Sequence, residues 1–157
     1  MNWGRLSRGE WIAMAGGLIV VISLFLPCYK TDPNNPFADI KTDTDGVQRG
    51  TFSVWDIHPI SRWILLLAAL APFLLAYIIV REHQLSWPRG QATSVLAIYI
   101  AGFCLYWGLI NRPGEPSGAI SLQYGWFGIL LGALLMFAGS FMRTSETEVK
   151  RKPPGTL

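Results

Sequence analysis

Few residues in this chain have the chemistry to bind a metal or move a proton, and most of them fall between positions 28 and 58. Asp39, Asp43 and Asp45 offer oxygens to a hard cation, and Asp43-Thr44-Asp45-Gly46 resembles the opening of a calcium loop. Calcium takes six to eight oxygens, and an EF-hand loop closes on an acidic residue at its twelfth position. Counting Asp43 as the first puts Val54 there, so turn chemistry accounts better for the aspartates. Asp56 and His58 stand two apart, but no nucleophile or third orienting group accompanies them. Cys28 and Cys104 supply two thiols where a structural zinc needs four ligands. His58 and His83 both fall in loops, so no His–Cys cluster is expected. A Cys28–Cys104 bridge is conceivable but disfavoured. Their expected depths differ by about 6–9 Å at 1.5 Å per residue, whereas bridged Cα atoms lie within about 7 Å. Phosphate-loop, HExxH and GxSxG motifs are absent. The expectation is a non-enzymatic chain with no catalytic residue, no metal and no cofactor.

The elements around these residues are far more legible. Four apolar stretches run Trp11–Cys28, Trp63–Val80, Ala92–Ile110 and Gln123–Met142. A hydrocarbon core about 30 Å thick needs about 20 apolar residues in a helix. None of the four contains Asp, Glu, Lys, Arg or His, the groups that mark ion paths and proton relays at membrane depth. The 157 residues read as one transmembrane domain over 1–142 and a flexible tail over 143–157, with a net charge of +3. The predicted fold is an all-α antiparallel four-helix bundle with an ordered loop, about 29–61, on the outer side. Arg5 and Arg8 before an apolar run resemble a signal peptide. The run is too long and lacks a small-x-small cleavage site, so a retained helix is expected.

Charge sets the orientation. Arg5, Arg8, Arg81, Arg89, Arg143, Lys150, Arg151 and Lys152 fall on one side, while Lys30, Lys41, Arg49, Arg62 and Arg112 spread over the longer loops of the other. By the positive-inside rule both termini are cytoplasmic and the protein is a multi-pass resident of the plasma membrane. The same placement explains the basic excess without nucleic acid as a partner. Trp11, Tyr29, Trp63, Trp87, Trp107, Tyr124 and Trp126 lie near span ends, where amphipathic rings favour the headgroup layer. Arg81 and Arg143 follow their spans and are placed to snorkel. Lys150-Arg151-Lys152 is a charge anchor with a weak attraction for anionic lipid.

In lipid, helices associate through close packing of small residues. The fourth span carries Gly125, Gly128, Gly132 and Gly139 on one face. Ala97, Ala101, Cys104 and Gly108 stripe the third, Ala13, Gly16, Ser23 and Pro27 the first, and Ala69, Pro72 and Ala76 the second. Pro72 is expected to kink its helix. Two readings compete for the glycine face: packing inside the bundle, or docking of a partner protein or a second copy. In the outer loop, Ala38–Thr42 and Val47–Trp55 flank Asp43–Gly46 and suggest a β-hairpin. Phe37, Phe52 and Trp55 are the loop's candidate contact residues. Asn111–Ser121, with Pro113, Gly114, Pro116 and Gly118, is expected to be a rigid connector.

Ser23-Leu24-Phe25-Leu26-Pro27-Cys28-Tyr29 resembles the S-x-F-L-P-W-Y signature of small, mostly uncharacterised four-span bacterial membrane proteins, chiefly actinobacterial. Ser53-Val54-Trp55-Asp56 resembles the small-x-Trp-acid stretch that ends their outer loop, and Tyr124–Arg143 their glycine-rich last span and charged tail. Cys28 stands where tryptophan is usual. The resemblance implies the topology. The function expected is that of an interaction or scaffold protein, an accessory subunit of a membrane assembly. The alternative is a carrier or channel for a lipid or other apolar molecule, using a cavity between helices near Pro72.

Overall fold

Helix α1 (Arg8–Leu24) begins on a capping box. The Ser7 hydroxyl accepts the Glu10 N–H, and the Glu10 carboxylate accepts the Ser7 N–H at 2.6 Å. The box satisfies two of the donors a helix start leaves open. Ser7→Ala is expected to cost about 1 kcal/mol, read as a lowered midpoint in unfolding from detergent micelles. The chain then gives β1 (Pro27–Thr31), β2 (Ile40–Thr42), β3 (Gly46–Gln48), β4 (Thr51–Ser53), the short α2 (Val54–Ile57) and α3 (Ser61–Val80). There follow α4 (Gln91–Leu105), which runs into a π-helical turn (Tyr106–Ile110), a 3-10 turn (Ser117–Ala119), β5 (Ile120–Leu122) and α5 (Tyr124–Val149). The computed structural model describes residues 6–43, 46–81 and 90–149, with side chains to 142. Asp45, Glu82, His83, Trp87, Arg89 and the Lys150–Lys152 cluster lie outside them.

Among the described residues three helices are long and apolar enough to cross a bilayer: 61–80, 91–110 and 124–142. Helix α1 has 17 residues, about 25 Å at 1.5 Å rise, and stops at Leu24 instead of running to Cys28. The apolar pattern continues through Phe25 and Leu26, but Pro27 disfavours helix in the residue before it. Pro27–Thr31 pairs as a strand instead. The described residues are mostly helical, and they form two small sheets as well as five helices, so the fold is not all-α.

Around the ring of neighbours, α1 packs on α5 and α3, and α4 on α5 and α3. Contact order fixes direction. Gly9, Gly16 and Ser23 of α1 meet Gly139, Gly132 and Gly128 of α5, so the two run antiparallel. Ser94 meets Ser140, and Cys104 meets Trp126, so α4 also runs against α5. Helix α3 continues unbroken through Pro72 and sets Ala69, Pro72 and Phe73 against Gly17. The core between them holds Val20, Leu24, Leu65, Ala69, Ile100, Ile129 and Met136.

A cap closes one end. Strand β1 is central in the antiparallel order β4–β1–β5, with Tyr29 opposite Phe52 on one side and Leu122 on the other. Strands β2 and β3 form a hairpin shorter than the runs 38–42 and 47–55 suggest, Ile40 opposite Gln48 and Thr42 opposite Gly46, because Thr51–Ser53 pairs with β1 instead and Val54–Ile57 turns helical. Asp39 and Glu115 exchange backbone hydrogen bonds at 3.0 and 3.1 Å, tying the hairpin to the connector before β5. Gly114 makes that approach possible. Its φ is +113°, and an added Cβ would run into the Asp39 carbonyl.

Candidate functional site

Two places gather polar side chains. The first is the corner where the cap meets α3. Ser53 and Asp56 form a second capping box: the Asp56 carboxylate accepts the Ser53 N–H at 2.9 Å and its hydroxyl at 2.7 Å. Asp56 is thereby committed to holding α2. Asp43 pairs with Arg62 at 3.1 Å. Arg62 also donates to the Trp55 carbonyl at 2.9 Å and lies over the Trp55 ring. Asp39, another of the candidate cation ligands, is engaged through its backbone with Glu115. Asp39, Asp43 and Asp56 therefore serve three separate structural tasks. Among the described residues no group of three His, Cys, Asp or Glu is placed to hold a metal.

His58 follows directly. It caps α2, its N–H bonding to the Val54 carbonyl, and its own carbonyl accepts the Arg62 N–H at 3.0 Å. Its ring lies 5.1 Å from Phe103 and 4.7 Å from Trp107. Burial pushes its pKa down from 6.5 to about 4, because the charged form loses its hydration. The Nε2 atom is buried with no protein partner, as is Nε of Arg62. The sequence offers His58 as a partner for Asp56 or for the cysteines, and the structure sets it against the Phe103 and Trp107 rings instead. The signal for this place is the four-residue step from His58 to Arg62 at the head of an apolar helix.

The second place is a crevice at the far end of the helices, with about 250 Å³ of empty space open to its surroundings. Glu10, Ala13, Pro72, Leu75, Thr93 and Ser140 line it. Ser94 and Ser140 share a hydrogen bond of 2.7 Å, and Ser140 also donates to the Phe137 carbonyl. Pro72 borders this gap, and Glu10, Thr93 and Ser140 put polar groups into a wall that is otherwise apolar.

The glycine face of α5 lies against α1 of the same chain. A Cβ on Gly125 would meet the Leu26 and Pro27 carbonyls, one on Gly128 the Ser23 hydroxyl, one on Gly132 the Gly16 carbonyl, and one on Gly139 the Gly9 carbonyl. Of the three loop candidates, Phe37 is 79% exposed on the cap, whereas Phe52 is buried in β4. Trp55 is half-buried, 4.7 Å from Phe25 and 5.1 Å from Trp63. Trp11, Trp63 and Tyr124 are exposed near helix ends, as anchors require. Tyr29 and Trp126 are not anchors. Tyr29 is buried in the central strand, and the Trp126 indole is buried and donates to the Cys104 carbonyl at 2.8 Å. Cys28 and Cys104 are both free and buried. Arg81 lies over the Tyr77 ring. Compared with protein-family models, with curated proteins and with solved structures, the chain matches none.

Proposed function

We propose that the chain is a non-enzymatic integral membrane protein with four antiparallel spans and both termini in the cytoplasm, acting as an interaction or accessory subunit of a membrane assembly. Three spans are α3, α4 with its π-helical turn, and the apolar part of α5. The short α1 is the fourth, its ends extended into the headgroup layer by Ser7 and the Phe25–Leu26 step. The resemblance to small four-span bacterial proteins supports the same topology.

The observation that carries the interaction reading is Phe37. Its ring stands 79% exposed on the cap, and its backbone is held in a turn by the Asn35 side chain at 3.0 Å. A large aromatic held rigidly on a polar surface is the kind of residue that anchors protein–protein contacts. The glycine face of α5 contributes to this function from within, by making α1 and α5 one body, since α1 already occupies it.

Native mass spectrometry of the protein in nanodiscs tests the proposal. Expected is a co-purifying protein, or a second copy, whose occupancy falls at least tenfold in Phe37→Asp while the monomer still folds. A monomer with no protein partner, or a partner indifferent to Phe37→Asp, removes the reading. A stoichiometric lipid in place of a protein would instead favour the carrier, the less favoured reading because the crevice beside Pro72 is small.

A further inference from the structure

His58 sits in a place that suits only a neutral ring. Residues of three elements gather at it, and apart from the unpartnered Nε of Arg62 the polar groups they bring are otherwise engaged. From α2 comes Asp56, its carboxylate held by Ser53. From α3 comes Arg62, a cation already paired with Asp43 and the Trp55 carbonyl. From α4 and its π-helical turn come the rings of Phe103 and Trp107. The titratable groups there are Cys104, whose thiol bonds to the Trp126 carbonyl, and Tyr106, edge-on against Trp107. The side chain is 7% exposed, and Nε2 meets no protein acceptor.

An imidazolium has two N–H donors and a full charge to accommodate. At this seat the Nε2 donor would point at no protein acceptor, and the Asp56 carboxylate is already taken up by Ser53. The attraction of an aromatic face for a cation is smaller than the hydration an ion forfeits on burial. The π-helical turn adds a second geometric sign. Such turns insert a residue into a helix and recur at functional sites, and this one carries Trp107 to the imidazole.

We propose that His58 is a proton-operated latch between the cap and α4. Neutral, it seats the α2–α3 corner on Phe103 and Trp107. Protonated, it leaves that seat, and the corner from Ser53 to Arg62 opens. The direction follows from the depressed affinity for protons in the closed state. The open state binds the proton more tightly, so closure is fully favoured above pH 6.5 and weakens as pH falls through 6.5 toward 4. Below about pH 4 both states are protonated and the loss is complete.

Hydrogen–deuterium exchange of the full chain in nanodiscs, expressed as protection factors, reads the latch. Between pH 7 and pH 4 the wild type is expected to lose about a hundredfold in protection over residues 53–62. His58→Phe keeps the aromatic packing and cannot titrate, so it retains that protection. It also keeps the Asp43–Arg62 and Ser53–Asp56 contacts, so any loss shared by both proteins belongs to the carboxylates. An equal loss in both, or none in the wild type, overturns the proposal. Should His58→Phe fail to fold, imidazole ¹⁵N resonances of the wild type decide the matter. A His58 midpoint below 5, at the low-pH end of a protection loss that begins near pH 6.5, supports the latch, and a midpoint near 6.5 overturns it.

Discussion

Gly132→Leu is expected to separate α1 from α5 and cost the protein about 3 kcal/mol or more, the upper range for overpacking a filled core. The reason is backbone, not side chain. A Cβ at Gly132 would stand 2.7 Å from the Gly16 carbonyl oxygen and 2.9 Å from the Val20 amide nitrogen. Neither atom can swing aside as a flexible side chain does, so the helices must part. Gly16→Leu meets the same barrier from the other side, with the Gly132 carbonyl at 2.6 Å and the Met136 nitrogen at 2.7 Å. Parting them loses the dispersion contacts that stand in for the hydrophobic effect in lipid. Gly102→Ala is the control. Nothing lies within 4 Å of a Cβ there, and alanine is the better helix former by about 1 kcal/mol. Unfolding in mixed micelles should place Gly132→Leu far below the wild type and Gly102→Ala level with it or above. If Gly132→Leu unfolds with the wild type, α1 and α5 do not meet as described.

The small-residue stripes were the part of this architecture that could be read in advance. Ala13, Gly16 and Ser23 on α1, Ala69, Pro72 and Ala76 on α3, and Ala97, Cys104 and Gly108 on α4 all turn inward. Periodicity marks a face, and in lipid the face made of small residues is the one that allows close approach. The β2–β3 hairpin was legible for a similarly local reason, since Gly46, which opens β3, holds a φ of +74° that other residues rarely adopt. The three-stranded sheet was not. Tyr29 pairs with Leu122 across more than ninety residues, and no local pattern announces a strand partner so distant. The apolar run Phe25–Leu26 masked the helix end at Leu24, although Pro27 and the Ser7-x-x-Glu10 box mark both ends of α1. Trp126 misled for a different reason. Its position near a span end suits a headgroup anchor, and only the missing side chain at Gly108 makes room for its indole inside.

That pairing of Gly108 with Trp126 yields the second large effect. In Gly108→Ala the new methyl would fall on the indole, with Cε2 at 2.5 Å and Cζ2 at 2.8 Å. Trp126 cannot yield cheaply. It is 5% exposed, and its Nε1–H reaches the Cys104 carbonyl at 2.8 Å. Moving the ring breaks that hydrogen bond, at about 1–3 kcal/mol for a buried group left without a partner, and opens a packing fault of similar size. The Gly108 carbonyl is also the anchor for Arg112, whose Nε donates to it at 2.8 Å while Nη1 holds the Ile120 carbonyl at 2.8 Å. A shift at Gly108 therefore reaches β5 and the cap. Gly108→Ala is expected to cost about 3 kcal/mol after the small gain in helix propensity. Trp126→Leu alone should also destabilise, by removing the bond and leaving space. The double variant should be more stable than the sum of the two single costs implies, because the methyl then fills part of the space the indole vacated. A double-mutant cycle from micellar unfolding measures this coupling, expected at about 1–2 kcal/mol. Additive costs would mean that residues 108 and 126 do not touch, and the seating of α4 on α5 would have to be redrawn.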